Sequence, residues 1–401
     1  MIAGSGPAAL SVAVEAQHLG ATVVLVAPTP GTPWVPTWCA FDSDLPRESS
    51  GVVGECLHAV GFVHRWDSAR IALDAREQID PRPYVQIDGV GLQTRLLERF
   101  RECGGKILAA RVVGVVPGSP QQVRIESTRS GGPTILKARH VIDCTGEAQV
   151  LGSNVAGSRP TAYQTAFGLE IETDGHPWAP DQATWMDLTA LQSPPSFLYV
   201  LPRDSRRVFV EETALAARPL VSLDLLERRL YERLDRLGVH IRAVHSTERC
   251  RIPLDMPAPK GLAYGTAGGM VHPATGYLLT RVLRGARSFA QSVLDGRGAA
   301  ELHRLRGGAA RPLHLLGLDV LVGSDGPALG RFFERFFAMP ASRREAFLAV
   351  QPQLGPTVWS MSRLFLDAPL ALKLQLAGPL FRFTSDSPSS PTTSEVACPH
   401  S

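Results

Sequence analysis

The opening stretch MIAGSGPAALSVAVEAQHLGATVVLVAP admits few folds. A short apolar start runs into Gly4, Ser5 and Gly6, then into an Ala-rich helical stretch as far as Gly20, then into a second apolar run from Thr22 to Val26. Strand, tight turn, helix and strand in that order make a βαβ unit, and the G-x-G-x-x-A spacing makes it a dinucleotide-binding one. Gly4 allows the sharp turn, Gly6 lets the backbone approach a pyrophosphate, and Ala9 keeps helix and strand close. Pro7 and Ala8 open the helix, whose N-terminal N–H groups and dipole face the phosphates. Two features depart from the pattern. The first strand is short, and Ala27 stands where an acidic residue ordinarily holds the ribose hydroxyls. Either Asp42 or Asp44 reaches in from the following loop, or nucleotide affinity is reduced.

A chain of 401 residues exceeds what one hydrophobic core serves, so two packed domains and a helical extension are expected. The expected division is a discontinuous nucleotide domain at 1–160 and 240–300, a sheet-forming domain at 161–239, a helical region at 301–383, and a disordered Ser, Pro and Thr tail at 384–401. Lys and Arg total 41 against 38 Asp and Glu, with no basic block interleaved with aromatics, which argues against nucleic acid as a partner. The six cysteines, Cys39, Cys56, Cys103, Cys144, Cys250 and Cys398, lie far apart without a C-x-x-C pair. That spacing argues against a metal site and a disulfide framework, and places the chain in a reduced cytoplasm.

No apolar run reaches the roughly 18 residues of a spanning helix, and the N-terminus lacks the charged start of a leader. Two late segments, LHLLGLDVLVG (313–323) and APLALKLQLAGPLFRF (368–383), are apolar with sparse basic residues, as an interfacial helix is. Their alternative is packing on their own domain.

Between these ends, PTPGTPWVPT (28–37) reads as a loop, with Trp34, Trp38 and Phe41 in and after it. Leu92, Leu96, Leu97 and Phe100 recur at helical spacing before Gly104 and Gly105. Strands are expected at 106–116, 121–127 and 135–143, the last ending at Thr145 and Gly146 in a turn that can return under a bound nucleotide. YQTAFGLEIE, FLYVLP and RRVFVEET are strand-like, and Leu226, Leu230, Leu234 and Leu237 form one helix stripe ending at Gly238.

The stretch VFVEETALAARP sets Glu211 and Glu212 directly after an apolar strand. Neighbours on a strand point to opposite faces, so the two carboxyls occupy different environments and one is expected to face inward. An inward carboxyl has its charged form penalised by desolvation and keeps a proton to donate near neutral pH. The alternative is a surface strand with one solvated glutamate and one paired with an arginine such as Arg218.

With GTAGGMVHPATGY (265–277), this stretch resembles the flavin-dependent lycopene cyclase family. The family's F-L-E-E-T is matched by Phe209, Val210, Glu211, Glu212 and Thr213. YQTAFGLEIE, the Met186-Asp187 pair, PSFLYVLP and RFFERFFAMP resemble further family segments in the same order, and the family's aromatic loop survives only loosely as WVPTWCAF. The resemblance implies an α/β fold with a Rossmann-like FAD-binding domain of the aromatic-hydroxylase and reductase type, a sheet-containing substrate domain and C-terminal helices. It implies redox-neutral cyclisation of the linear ends of lycopene to β-type rings, with reduced FAD, NADPH as reductant and peripheral contact with a membrane surface. Glu211 corresponds to the family's proton-handling residue, and Glu212 would orient it, bind cofactor indirectly or face solvent. Gly265 and Thr266 fall where related flavoproteins approach the ribityl chain. Pro273 and Gly276 would open a helix from Tyr277 to about Val293, backing the flavin's pyrimidine edge.

His272 could shuttle a proton, or stabilise the Gly-rich turn as a hydrogen-bond donor. Trp34, Trp38, Trp185 and Phe332, Phe333, Phe336 and Phe337 could line a polyene tunnel or form core. The rival readings are a flavin monooxygenase or prenyl reductase on the same scaffold, and a degenerate flavoprotein without chemistry.

Overall fold

The turn glycines fold the N-terminus as the G-x-G pattern requires. In the computed structural model, which describes residues 1–367 apart from 117, 119, 129–131, 153–158, 350, 351 and 353, Ile2–Ala3 leads through Gly4 into the helix Pro7–His18 and the strand Val24–Ala27. The apolar segment 368–383 and the tail 384–401 lie outside the described residues. Gly4 sits at φ +122°, and a Cβ there would overlap the backbone carbonyl of Cys144. Short as it is, Ile2–Ala3 is paired in parallel on both sides, with Val24–Ala27 and Ile142–Asp143.

The first sheet has six strands in the order Thr134–Ala138, Gln121–Ser127, Lys106–Val116, Val24–Ala27, Ile2–Ala3, Ile142–Asp143. The expected strand 135–143 is thus two elements on opposite edges, because the chain must leave the antiparallel end and cross to the parallel one. Pro7–His18 is buried from Ala9 to Ala16, sandwiched by Leu279–Leu294 and Gly89–Glu102. The latter helix starts at Asp88, whose Oδ1 accepts the Gly91 N–H at 2.8 Å.

The second sheet has seven strands: Ile241–Pro253, Tyr163–Thr173, Arg207–Ala214, Ser196–Pro202, Gln182–Asp187, Ser68–Leu73 and Arg76–Asp80. It crosses the boundaries drawn from sequence, taking Ser68–Asp80 from the stretch 1–160 and Ile241–Pro253 from 240–300. Alternation gives it two faces. Phe167, Leu169, Leu198, Val200, Val208 and Val210 pack under the helix Leu223–Arg236, into which Leu226, Leu230 and Leu234 point. Leu237 is not part of that stripe; it caps the helix and is exposed. The opposite face looks across a cavity toward the first sheet and the helices Arg311–Gly323, Gly326–Ala338, Ala341–Leu348 and Leu354–Asp367.

Phe333, Phe336 and Phe337 are buried there, and the segment 313–323 packs on its own domain through Leu318, Val320 and Leu321. No helix of the described residues is long and apolar enough to cross a membrane.

Candidate active site between the two sheets

A cavity of about 1100 Å³ lies between the sheets. At one end it meets Gly6, Pro7 and Ala8, the first turn of the first helix, together with Gly146 and Thr266. That helix has no side-chain cap and no acidic residue in its first turn, so among the described residues its first N–H groups are left without a side-chain cap beside the positive end of the dipole. A Cβ on Gly6 would meet nothing within 4 Å, the mark of a cradle left open by a missing side chain. Ser5 fixes the neighbouring loop instead, its carbonyl accepting the Trp34 Nε1–H at 3.1 Å. Ala9 is fully buried, and Gly265 at φ +73° leaves a Cβ only 2.5 Å from that of Ala8. The cradle's shape and charge fit a dinucleotide phosphate.

The other expected cofactor residues divide. Gly146 and Gly276 line the cavity, but Thr145 does not: its N–H and hydroxyl both bond Asp143 Oδ1, at 2.8 and 2.6 Å, which locks the turn. Pro273 is likewise off the cavity, inside a turn closed by Gly276 N–H to His272 O and His272 N–H to Tyr277 O, each 2.9 Å. The following helix runs Leu279–Leu294 rather than from Tyr277. Ala27 is buried, Asp42 pairs with Arg65, and neither Asp42 nor Asp44 lines the cavity.

The two glutamates part as strand geometry demands. Glu211 pairs in register with Gly168 on one side and Tyr199 on the other, and faces the cavity. Its accessible surface opens on that apolar space, and desolvation pushes its carboxyl up to about 7, against the Thr213 hydroxyl donating to Oε1 at 2.6 Å and with Glu248 adding to the rise. Glu212 points through the sheet to the opposite face. It is buried at 1% exposure, where Arg233 donates to both its oxygens at 3.0 and 3.2 Å and Ser196 Oγ donates at 2.7 Å. The assignment of Glu212 to the reacting site is therefore corrected: it is a structural ion pair, with Arg233 in the place considered for Arg218. Arg218 pairs with Asp255 and Asp319.

Beside Glu211 stands a chain of aromatic hydrogen bonds. Trp185 Nε1 donates to Tyr277 OH at 2.5 Å, Tyr277 and Tyr84 share a bond of 3.1 Å, and Tyr199 OH donates to Tyr84 OH at 3.1 Å. Their polar edges satisfy one another, and all four rings line the cavity. Trp38 and Phe332, Phe333, Phe336 and Phe337 line it as well, whereas Trp34 is turned into the core. His272 does not line the cavity; its Nδ1 accepts the Ala274 N–H at 3.2 Å, and burial holds the ring well below its ordinary pKa. It serves the turn both ways, its ring accepting from Ala274 and its backbone N–H donating to Tyr277 O.

The signature of the family "Lycopene cyclase protein" matches residues 1–373. This chain belongs to the lycopene cyclase family. It is 29% identical to the lycopene beta cyclase of Synechococcus elongatus, over 92% of this chain and 93% of that protein. It is also 29% identical to the chloroplastic lycopene beta cyclase of an Oncidium hybrid cultivar, over 94% and 82%. Among solved structures it is similar to a geranylgeranyl bacteriochlorophyll reductase-like protein from Thermoplasma acidophilum, with TM-score 0.67, 13% identity and coverage of 95% and 98%. The myxobacterial chondrochloren halogenase CndH, described as FAD-dependent, gives TM-score 0.58 at 15% identity over 93% and 98%. These likenesses establish the fold, a Rossmann-like α/β flavoprotein architecture.

For a lycopene cyclase family member, sequence reasoning missed the phenols Tyr84, Tyr199 and Tyr277 and the carboxyl Glu248. Tyr84 opens a short strand, Tyr84–Ile87, directly after Pro83. The signal available for Glu248 was its spacing: Glu248 precedes Cys250 as Glu211 precedes Thr213, a carboxyl with a donor two residues on.

Proposed function

We propose that this chain closes β-type rings at the linear ends of lycopene or a related carotene, with Glu211 as the general acid. The observation that carries the reading is a carboxyl kept protonated to near neutrality at the wall of a largely apolar cavity that also meets a nucleotide cradle. Protonation of a terminal trisubstituted double bond forms a C–H bond and a tertiary cation. The neighbouring double bond closes a six-membered ring on it, and loss of a ring proton fixes the new double bond. Glu211 supplies the first proton, worth roughly 10²–10⁴-fold for a positioned acid. The faces of Trp185, Tyr84, Tyr199 and Tyr277 stabilise the cation, and their paired hydroxyls offer it no free nucleophile.

FAD would be held by the backbone of Gly4, Ser5, Gly6, Pro7, Ala8 and Ala9, with Gly146, Gly265, Thr266 and Gly276 allowing its close approach. When bound and reduced, with NADPH as reductant, it supplies negative charge against the developing cation, which lets a redox cofactor serve a redox-neutral reaction. Gly6→Val tests the cradle. Gly6 has an ordinary φ of −77°, so valine folds there but fills the space. The flavin-to-protein absorbance ratio after purification should fall at least about tenfold, a loss of roughly 1.4 kcal/mol or more, at unchanged circular dichroism.

The substrate is a lipid, and the helix Leu354–Asp367 is suited to collecting it from a membrane. Leu354, Val358, Trp359 and Leu366 are exposed on it, while Met361 and Leu366 also border the cavity. Changing Trp359 and Leu366 together to serine should lower co-sedimentation with phospholipid vesicles by tenfold or more, since each buried apolar side chain contributes about 1.5–3 kcal/mol.

The deciding experiment expresses the chain in a bacterial host that accumulates lycopene and separates the pigments. Conversion to β-carotene or γ-carotene supports the reading. Unchanged lycopene in cells holding soluble, flavin-loaded protein overturns it, and stoichiometric NADPH consumption with a reduced or hydroxylated product would favour an oxidoreductase.

A further inference from the structure

A ring closure that takes up one proton and releases another needs a base as well as an acid, and the second sheet places a second carboxyl opposite Glu211. Glu211 on Arg207–Ala214 and Glu248 on Ile241–Pro253 flank the same residue of the strand between them, Gly168, which is in register with both. Glycine leaves no side chain between the two; a Cβ there would stand 3.3 Å from that of Glu211 and 2.7 Å from the Phe209 ring. The carboxyls converge over the gap, so that ligand atoms of Glu211, Glu248 and Cys250 all lie within 4.8 Å of one another. One rung along the sheet, Thr213 and Cys250 flank Ala166 in the same way. Each carboxyl thus has a donor two residues on: Thr213 Oγ1 to Glu211 at 2.6 Å, and Cys250 Sγ to Glu248 at 3.2 Å.

The hydrogen bonds separate the roles. Glu248 also takes the Thr37 N–H on both oxygens, at 3.2 and 3.0 Å, the pattern of a carboxylate that accepts and does not donate. Among the described residues the side chain of Glu211 receives the Thr213 hydroxyl alone, and it faces the apolar cavity, the setting of a carboxylic acid. Burial raises the Cys250 thiol and keeps it a donor, which suits a proton-sharing set better than the thiolate of a metal site. The other titratable groups bordering the pair are Cys39 and Tyr199, both kept neutral by burial, with Arg203 acting on Cys39.

We infer that Glu211 and Glu248 share one proton across Gly168 as an acid–base pair, and that Glu248 is the base that removes the ring proton. The inference rests on the cyclase reading for the identity of the substrate. The cycle balances without an oxidant or reductant. The Glu211 O–H bond breaks as the first C–H bond forms; the ring C–H bond breaks as Glu248 gains an O–H bond; that proton then passes from Glu248 to Glu211 and restores the starting state. Pairs of carboxyls held in environments that differ in this way are how acid and base roles are divided at one pH.

The test is an infrared pH titration of the purified, flavin-loaded protein, following the C=O stretch of a protonated carboxyl that Glu211→Gln removes. In wild type the expected midpoint is about 7. Glu248→Gln removes the neighbouring negative charge that adds to the rise, so the midpoint should drop toward the ordinary carboxyl range, and Glu248→Asp should bring it back toward the wild-type value. In lycopene-accumulating cells, Glu248→Gln should cyclise at least about 100-fold more slowly at unchanged flavin content. An unmoved midpoint in Glu248→Gln overturns the shared proton. A moved midpoint with wild-type cyclisation overturns the base role. A moved midpoint in a protein whose wild type cyclises nothing upholds the pair and overturns the cyclase reading instead.

Discussion

Glu211→Gln is expected to abolish ring closure while the protein keeps its fold and its flavin. The amide preserves the shape and can still accept from Thr213, but it carries no proton that can be transferred. If the acid contributes as positioned acids do, the rate falls by at least about 100-fold and by as much as about 10⁴-fold. Pigment analysis checks the loss, and the visible flavin spectrum of the purified variant checks that the cradle is intact. The wild-type pH profile follows from the same carboxyl. Desolvation raises it to about 7, so the donating form prevails below that pH and the rate falls as pH rises through it. Stability runs the same way. A carboxyl raised above its unfolded value favours the folded state at low pH and loses that contribution as pH rises through about 7. Glu211→Gln has nothing to ionise, so it should resist denaturant better than wild type above pH 7. A variant that is inactive yet more stable at alkaline pH would tie both effects to one proton. Full activity in Glu211→Gln would remove the residue from the mechanism.

Arg233→Ala, on the helix Leu223–Arg236 that covers the second sheet, is expected to cost a large share of the protein's stability. Glu212 is almost fully buried and receives two hydrogen bonds from Arg233, whose own side chain is 12% exposed. Removing the arginine leaves a buried carboxylate with Ser196 as its remaining side-chain donor. Breaking such a pair from one side costs about 3–5 kcal/mol, a large share of the roughly 5–15 kcal/mol that holds a domain together. Removing both partners costs less, because no charge is then stranded: the double change Glu212→Leu with Arg233→Leu should recover much of the loss. Urea unfolding of the single and double variants measures the coupling directly. Equal losses for both would mean that packing, not the charge pair, matters at this position.

The contrast between these two neighbours shows how far the chain can be read unaided. That Glu211 and Glu212 face opposite ways follows from the two-residue period of a strand, with no structure needed. Both turned out to be inside, because this strand lies within a sheet covered on one face by Leu223–Arg236 and on the other by the cavity. The identity of each partner was not legible. Arg233 comes from the helix laid across the far face, and Glu248 comes from two strands away through Gly168. Local pattern carries no information about either pairing.

Elements whose signals are local could be read from the residues alone. The glycine turn and first helix, the leucine stripe of Leu223–Arg236, the strand bearing the glutamates and the His-Pro turn all follow from backbone sterics and from periods of two or 3.6 residues. It took the assembled fold to show that Ser68–Asp80 crosses into the second sheet and that Thr145 locks a turn while Gly146 lines the cavity. The same fold decided that Tyr84, Tyr199 and Tyr277 meet and that two carboxyls converge over a glycine. Each of these joins residues far apart in the chain, and such contacts are chosen by the burial of the whole core rather than by any neighbour in sequence.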